Sequence, residues 1–230
     1  GGNVAVALLA NAVATGAALV ALILTFGPLS GAHFNPVVSI VAASRRALPW
    51  RDAGAYVAAQ IAGAFIGVVC AHAMFRESLV SWSQHERSGM AQGLSEAVAT
   101  FGLVLVILVV AKRRADAVPW AVAAYITSAY WFTSSTSFAN PAVTLARAAT
   151  NTFAGIRPVD VPLYDANHVG AGALVHDGSM LPPAVLDALR QRGFRVQRYQ
   201  QFLPLELENG RRAVVPVEGY QFVPVGNRPY

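Results

Sequence analysis

The apolar positions of the chain gather into four runs. Residues 4–26 contain no charge, and about 23 residues in a helix are enough to span about 30 Å of hydrocarbon. Residues 54–75 form a second run. Residues 94–111 form a third, broken only by Glu96, and residues 118–132 a fourth, shorter and richer in Ser, Thr and aromatics. The pattern predicts four membrane-spanning helices.

Two further segments are apolar and rich in small residues, yet too short to cross: residues 27–43 and 134–149. Each has a polar lead-in, then Asn-Pro, then a short apolar stretch. Asn is a good helix cap and Pro is suited to the first helical turn. Both segments therefore predict an extended stretch that enters the membrane and a half-helix that leaves it. Such backbone survives at membrane depth only where protein covers it or it lines a wet cavity, so the pattern predicts a channel. The segments are also copies. A shift of 105 residues carries Asn35-Pro36-Val37-Val38-Ser39-Ile40 onto Asn140-Pro141-Ala142-Val143-Thr144-Leu145. One copy enters from each side, which makes an inverted repeat with its site near the midplane.

Composition and charge agree with this reading. Of the 230 residues 55% are hydrophobic and 13% charged, against about a quarter charged in an ordinary soluble domain. The net charge of +5 belongs wholly to the apolar part, since residues 160–230 carry equal numbers of acids and bases. Arg45, Arg46 and Arg51 lie between runs one and two; Lys112, Arg113 and Arg114 lie between runs three and four. With four crossings these connections share a face, which the positive-inside bias makes cytoplasmic; the expected location is the inner (plasma) membrane. The connection at residues 76–92 is balanced in charge and belongs outside. This distribution speaks against a nucleic-acid surface. Cys70 lies in an apolar run and has no internal partner for a disulfide. The start at Gly1-Gly2-Asn3 suggests a fragment.

The stretches Ser30-Gly31-Ala32-His33-Phe34-Asn35-Pro36 and Ser137-Phe138-Ala139-Asn140-Pro141-Ala142 resemble the two pore motifs of the aquaporin, or major intrinsic protein, family. The resemblance covers about residues 4–160 and extends to Gln60, Gly63 and Ser95-Glu96-Ala97. With Ala129-Tyr130-Trp131-Phe132-Thr133 it is most similar to bacterial aquaporins of arsenic-resistance operons. It implies an all-α membrane fold, a homotetramer, no cofactor and no bound metal. It also implies pore motifs at Asn35, Pro36, Val37, Asn140, Pro141 and Ala142, with Gly31 and His33 lining the pore. Two half-helices meeting N-terminus to N-terminus each present about +0.5 charge, which disfavours cations at the midpoint. The selectivity filter departs from most of the family. By the family's usual distances from the two Asn residues, the resemblance implies a filter at about Thr15, Ser128 and Ser137 with Val143, which occupies the usual place of an Arg. A wide, uncharged constriction is expected, passing neutral solutes larger than water, such as glycerol-like polyols or arsenous acid.

An acid within a span is functional by default. For Glu96 the resemblance implies hydrogen bonds to the re-entrant backbone rather than a proton relay, and Gln60 is given a structural role beside it. His33 has no second His or Cys nearby in sequence to complete a metal site. Arg147 falls four residues after Val143 on the same helix face. It either stands in for the missing Arg from one turn further out or lies at the mouth against lipid phosphate.

The 105-residue register places the partner of Glu96 before residue 1, and no run of about 18 apolar residues follows Arg157-Pro158. The first and last family helices are therefore expected to be absent. Residues 1–160 read as a partial channel domain and residues 161–230 as a small soluble α/β tail, from a fusion or a chimera. Within the tail, Pro182-Pro183 opens a short helix, residues 194–202 suit a strand, and Asn209-Gly210 between two short strands signals a hairpin. Residues 181–196 have a short, weak resemblance to γ-glutamyltransferase-like hydrolases. Four spans with two half-helices leave one flank of the pore open to lipid, so a non-conducting fragment is the alternative. The rival class is a membrane-anchored hydrolase or transferase, for which Ser179 with His176 is the candidate pair, set in what reads as a polar loop.

Overall fold

The computed structural model describes residues 3–176, 194–206 and 212–224. The chain divides into a unit spanning Gly1–Asp177 and a second spanning Gly178–Tyr230.

The first unit is helical: α1 (Val4–Ser30), α2 (Pro36–Ser44), α3 (Trp50–Phe75), α4 (Met90–Arg113), α5 (Val118–Phe132), α6 (Pro141–Arg147) and α7 (Val161–His176). Three of these, α1, α3 and α4, are long and apolar enough to cross a membrane. The fourth expected span is α5, at 15 residues. Asn3 caps α1 by accepting from the N–H groups of Ala5 and Val6. The helix runs on through Pro28 to Ser30, so the extended stretch expected from residue 27 begins four residues later. Gly31, with φ of 73°, ends it by donating to the Gly27 carbonyl at 2.9 Å.

The core joins α1, α4 and α5 through Ala12, Ala99, Leu103, Val122, Ile126 and Tyr130. Small residues let the helices approach closely: a Cβ added at Gly16 would overlap the Thr127 hydroxyl of α5. Val37 and Val41 of α2 pack on Val104 and Leu108 of α4. The C-terminal ends of α2 and α4, and hence Arg45 and Arg113, therefore lie at the same face of the unit.

The 105-residue register carries α1 onto α5, α2 onto α6 and α3 onto α7. The helix α7 takes the register place of the last family helix. At 16 residues it is not among the helices long and apolar enough to cross a membrane, in line with the lack of an apolar run after Arg157-Pro158. It belongs to the unit that ends at Asp177. Hydropathy hid α7 because its polar residues face protein. His168 is fully buried, with Nε2 2.6 Å from Glu96 Oε2. The Tyr164 hydroxyl bonds Gln92 Oε1 at 2.6 Å, and Asn167 donates to the Leu163 carbonyl.

The second unit contains β1 (Phe194–Glu206) and β2 (Arg212–Pro224), paired antiparallel from Phe194↔Pro224 to Glu206↔Arg212. This is the expected hairpin, with longer arms. The Asn209-Gly210 turn, the helix expected after Pro182 and Ser179 lie outside the described residues.

Candidate functional site

The half-helices α2 and α6 begin at Asn35 and Asn140. Asn35 Oδ1 accepts from Val37 N at 3.0 Å, and Asn140 Oδ1 accepts from Ala142 N at 3.1 Å. Each amide nitrogen then crosses to the other copy. Asn35 Nδ2 donates to the Ala139 carbonyl at 2.7 Å, and Asn140 Nδ2 donates to the Phe34 carbonyl at 2.8 Å. An amide nitrogen has two N–H groups, so each Asn keeps one donor beyond the bond that locks the copies together.

The lead-in strands repeat in backbone as well as sequence. Gly31, Ala32 and Phe34 have φ of 73°, 47° and 49°; Thr136, Ser137 and Ala139, each 105 residues on, have 61°, 50° and 47°. Left-handed backbone at non-glycine residues is costly and persists only where its surroundings hold it. The second copy is held by Glu96, fully buried, which accepts from Phe138 N at 3.0 Å and Ala139 N at 2.7 Å. In the first copy Gln60 donates to Ser39 Oγ at 3.0 Å, and His33 Nδ1 lies 3.1 Å from the same hydroxyl.

Arg87, in the 76–89 connection, is a second clamp. It is buried and donates to the carbonyls of Gly155, Ser135 and Phe153 at 2.8, 2.9 and 3.2 Å. Its backbone N–H donates to Asp160. Burial alone would raise the Asp160 carboxyl, but the Arg157 guanidinium and the Arg87 N–H outweigh it and hold it below its ordinary value. Nothing local marked Arg87 or His168 as important, because their partners lie tens of residues away in sequence.

A cavity of about 710 Å³ runs past both Asn residues. Gly31, His33, Asn35, Asn140 and Val143 line it, with Arg45 and Ala111 towards the Arg-rich face and Tyr130 and Arg147 beyond Val143. Of the four expected filter residues, Thr15, Ser137 and Val143 line the cavity and Ser128 does not. Ser128 is exposed and donates to the Tyr125 carbonyl at 2.7 Å. The lining face of α5 is Val118, Val122, Ile126 and Tyr130. At about 100° per residue, a position two away from Ile126 and Tyr130 points off that face. The four-residue spacing was the signal in sequence that could have found Tyr130.

The Major intrinsic protein family model matches residues 2–125, more than half of the chain. The chain belongs to the major intrinsic protein family. It is 59% identical over 158 residues to "Aquaglyceroporin AqpS" of Rhizobium meliloti (strain 1021), covering 69% of this chain and 68% of that one. "Aquaporin NIP1-1" of Oryza sativa subsp. japonica is 35% identical over 98 residues, covering 42% of this chain and 34% of its own length. "Glycerol uptake facilitator protein" of Bacillus subtilis (strain 168) is 32% identical over 103 residues, covering 38% of this chain and 36% of its own length. The chain thus spans about two thirds of the first of these relatives and about a third of the other two. Members of this family are multi-pass membrane channels for small neutral solutes and not enzymes, which sets the hydrolase reading aside.

Proposed function

We propose that this chain lines a pathway for passive movement of small neutral, hydroxylated solutes: water, glycerol-sized polyols and arsenous acid or related arsenicals. The observation that carries the reading is Val143, an uncharged side chain on the cavity wall where the family resemblance places an Arg. Around it the wall is mostly apolar, and its polar residues include Thr15, His33, Asn35, Tyr130, Ser137 and Asn140, with Arg45 and Arg147 further along. A solute oxygen meets the free amide N–H groups at the centre. The half-helix N-termini that converge there disfavour cations. Glu96 and Gln60 serve as structural supports for the two re-entrant segments. The Arg-rich ends of α2 and α4 face the cytoplasm, as the positive-inside bias supports, and the membrane is the inner (plasma) membrane. The resemblance further supports a homotetramer within the lipid bilayer.

The test is osmotic swelling of vesicles that hold residues 1–230. Glycerol should enter faster than into protein-free vesicles, and Val143→Arg should slow it about tenfold, the effect of placing a guanidinium across the pathway. Selectivity for water alone, an absence of specific flux, or an unaltered glycerol rate in the variant would each sink the reading. An absence of flux would favour the non-conducting fragment instead.

A further inference from the structure

The packing of α7 on α4 holds two titratable side chains outside the cavity, His168 and Asp165. His168 and Glu96 both have fully buried side chains, and His168 Nε2 lies 2.6 Å from Glu96 Oε2. The other ring nitrogen, Nδ1, lies 3.5 Å from Asp165 Oδ1, three residues earlier on α7. These two atoms are buried, and neither has a hydrogen-bond partner among the described residues. Buried polar atoms are almost always paired, and here the two orphans stand opposite each other, so a small closure makes the missing bond. The helix is seated closely. A Cβ added at Gly93 of α4 would clash with Asn167, and one at Gly172 would clash with Val37 of α2. In the 105-residue register His168 corresponds to Gly63, so the first copy has no equivalent ring.

We infer that His168 is a positioning residue for the pore centre: as a doubly protonated ring held between Asp165 and Glu96, it fixes the carboxylate that sets Asn35. An imidazole donates from both nitrogens only when both carry a proton, and a carboxylate oxygen stands opposite each one. The positive ring then meets two negative groups, which offsets a charge that is costly to bury alone. From the ring a continuous set of hydrogen bonds leads to the centre. Glu96 Oε2, the oxygen that meets His168, also accepts from Ala139 N at 2.7 Å. The Ala139 carbonyl accepts from Asn35 Nδ2 at 2.7 Å. Without the ring the Glu96 carboxylate is free to turn about its last bond, and Ala139 and the Asn35 amide move with it. The inference rests on the pathway proposed above and adds a residue outside the cavity that sets its central donor.

NMR of the full chain in nanodiscs tests this without any need of conduction. At neutral pH both ring nitrogens of His168 should carry a proton, and one bare nitrogen overturns the inference. The Asn35 amide proton bonded to Ala139 should shift in His168→Phe, which fills the space without a donor. It should return in His168→Gln, whose amide nitrogen takes the place of Nε2. An Asn35 signal that ignores His168→Phe, or that His168→Gln does not restore, overturns the inference. In vesicles, glycerol flux should fall about tenfold in His168→Phe, the effect of losing one hydrogen bond to a charged group, and should recover to within about threefold of wild type in His168→Gln. Wild-type flux in His168→Phe overturns the inference. If His168→Phe does not fold, Asp165→Leu decides, because it leaves the contact between His168 and Glu96 in place. There His168 Nδ1 should lose its proton and the Asn35 signal should move; no change in either overturns the inference. If the wild type conducts nothing, the pathway reading falls, and the two NMR signals still decide whether His168 positions Asn35.

Discussion

Replacing Glu96 by Gln tests how the second re-entrant segment is held. The carboxylate accepts from two adjacent backbone donors, Phe138 N at 3.0 Å and Ala139 N at 2.7 Å, and lies 2.6 Å from His168 Nε2. A Gln side chain has the same shape but one acceptor oxygen, and its nitrogen only donates. It can serve one of the two N–H groups and leaves the other buried without a partner. An orphaned donor costs about 1–3 kcal/mol. The surviving bond changes from charge-assisted to neutral, which loses roughly another 1 kcal/mol. The total is about 2–4 kcal/mol, and at about 2–4 °C per kcal/mol for a chain of this size the melting midpoint should fall by roughly 5–10 °C. The assay is helical circular dichroism on heating in detergent micelles, wild type against Glu96→Gln. Glycerol flux should fall as well, because the Ala139 carbonyl beside the lost bond is the acceptor of Asn35. A midpoint within about 1 °C of wild type would refute the reasoning.

Two expectations concern the 76–89 connection. Arg87→Met keeps the stem and strips the donors from three carbonyls, so stability should drop by about 3 kcal/mol and limited proteolysis should cut this connection faster. Asp160 has a carboxyl depressed below its ordinary 3.8, so its stabilising contribution is complete above that value and is lost as pH falls through the lower, folded value. Melting midpoints of wild type minus Asp160→Asn should therefore be constant at and above about pH 5 and should shrink below 3.8. A difference that grows on acidification contradicts the ion pair with Arg157.

The sequence by itself determined the architecture around the pore centre. Asn capping, Pro at the first helical turn and apolar length all act over a few residues, so the half-helices and the long spans can be read locally. Because the motif occurs twice, its register also made the segments that form α2 and α6 counterparts. What only tertiary structure decided depends on partners distant in the chain or on helix rotation. His168 and Tyr164 lower the apolarity of α7 below that of a span, yet both are buried against protein, His168 on Glu96 and Tyr164 on Gln92. A hydropathy window weighs each residue against lipid and so missed the helix. Ser128 was placed in the filter by counting from Asn140. The rotation of α5 put Tyr130 on the cavity instead, because two residues along a helix turn a side chain to another face. The Arg147 guanidinium could be assigned to the cavity only once Phe138 and Tyr130 fixed its direction, since a long side chain on a known helix face can still point towards lipid or pore.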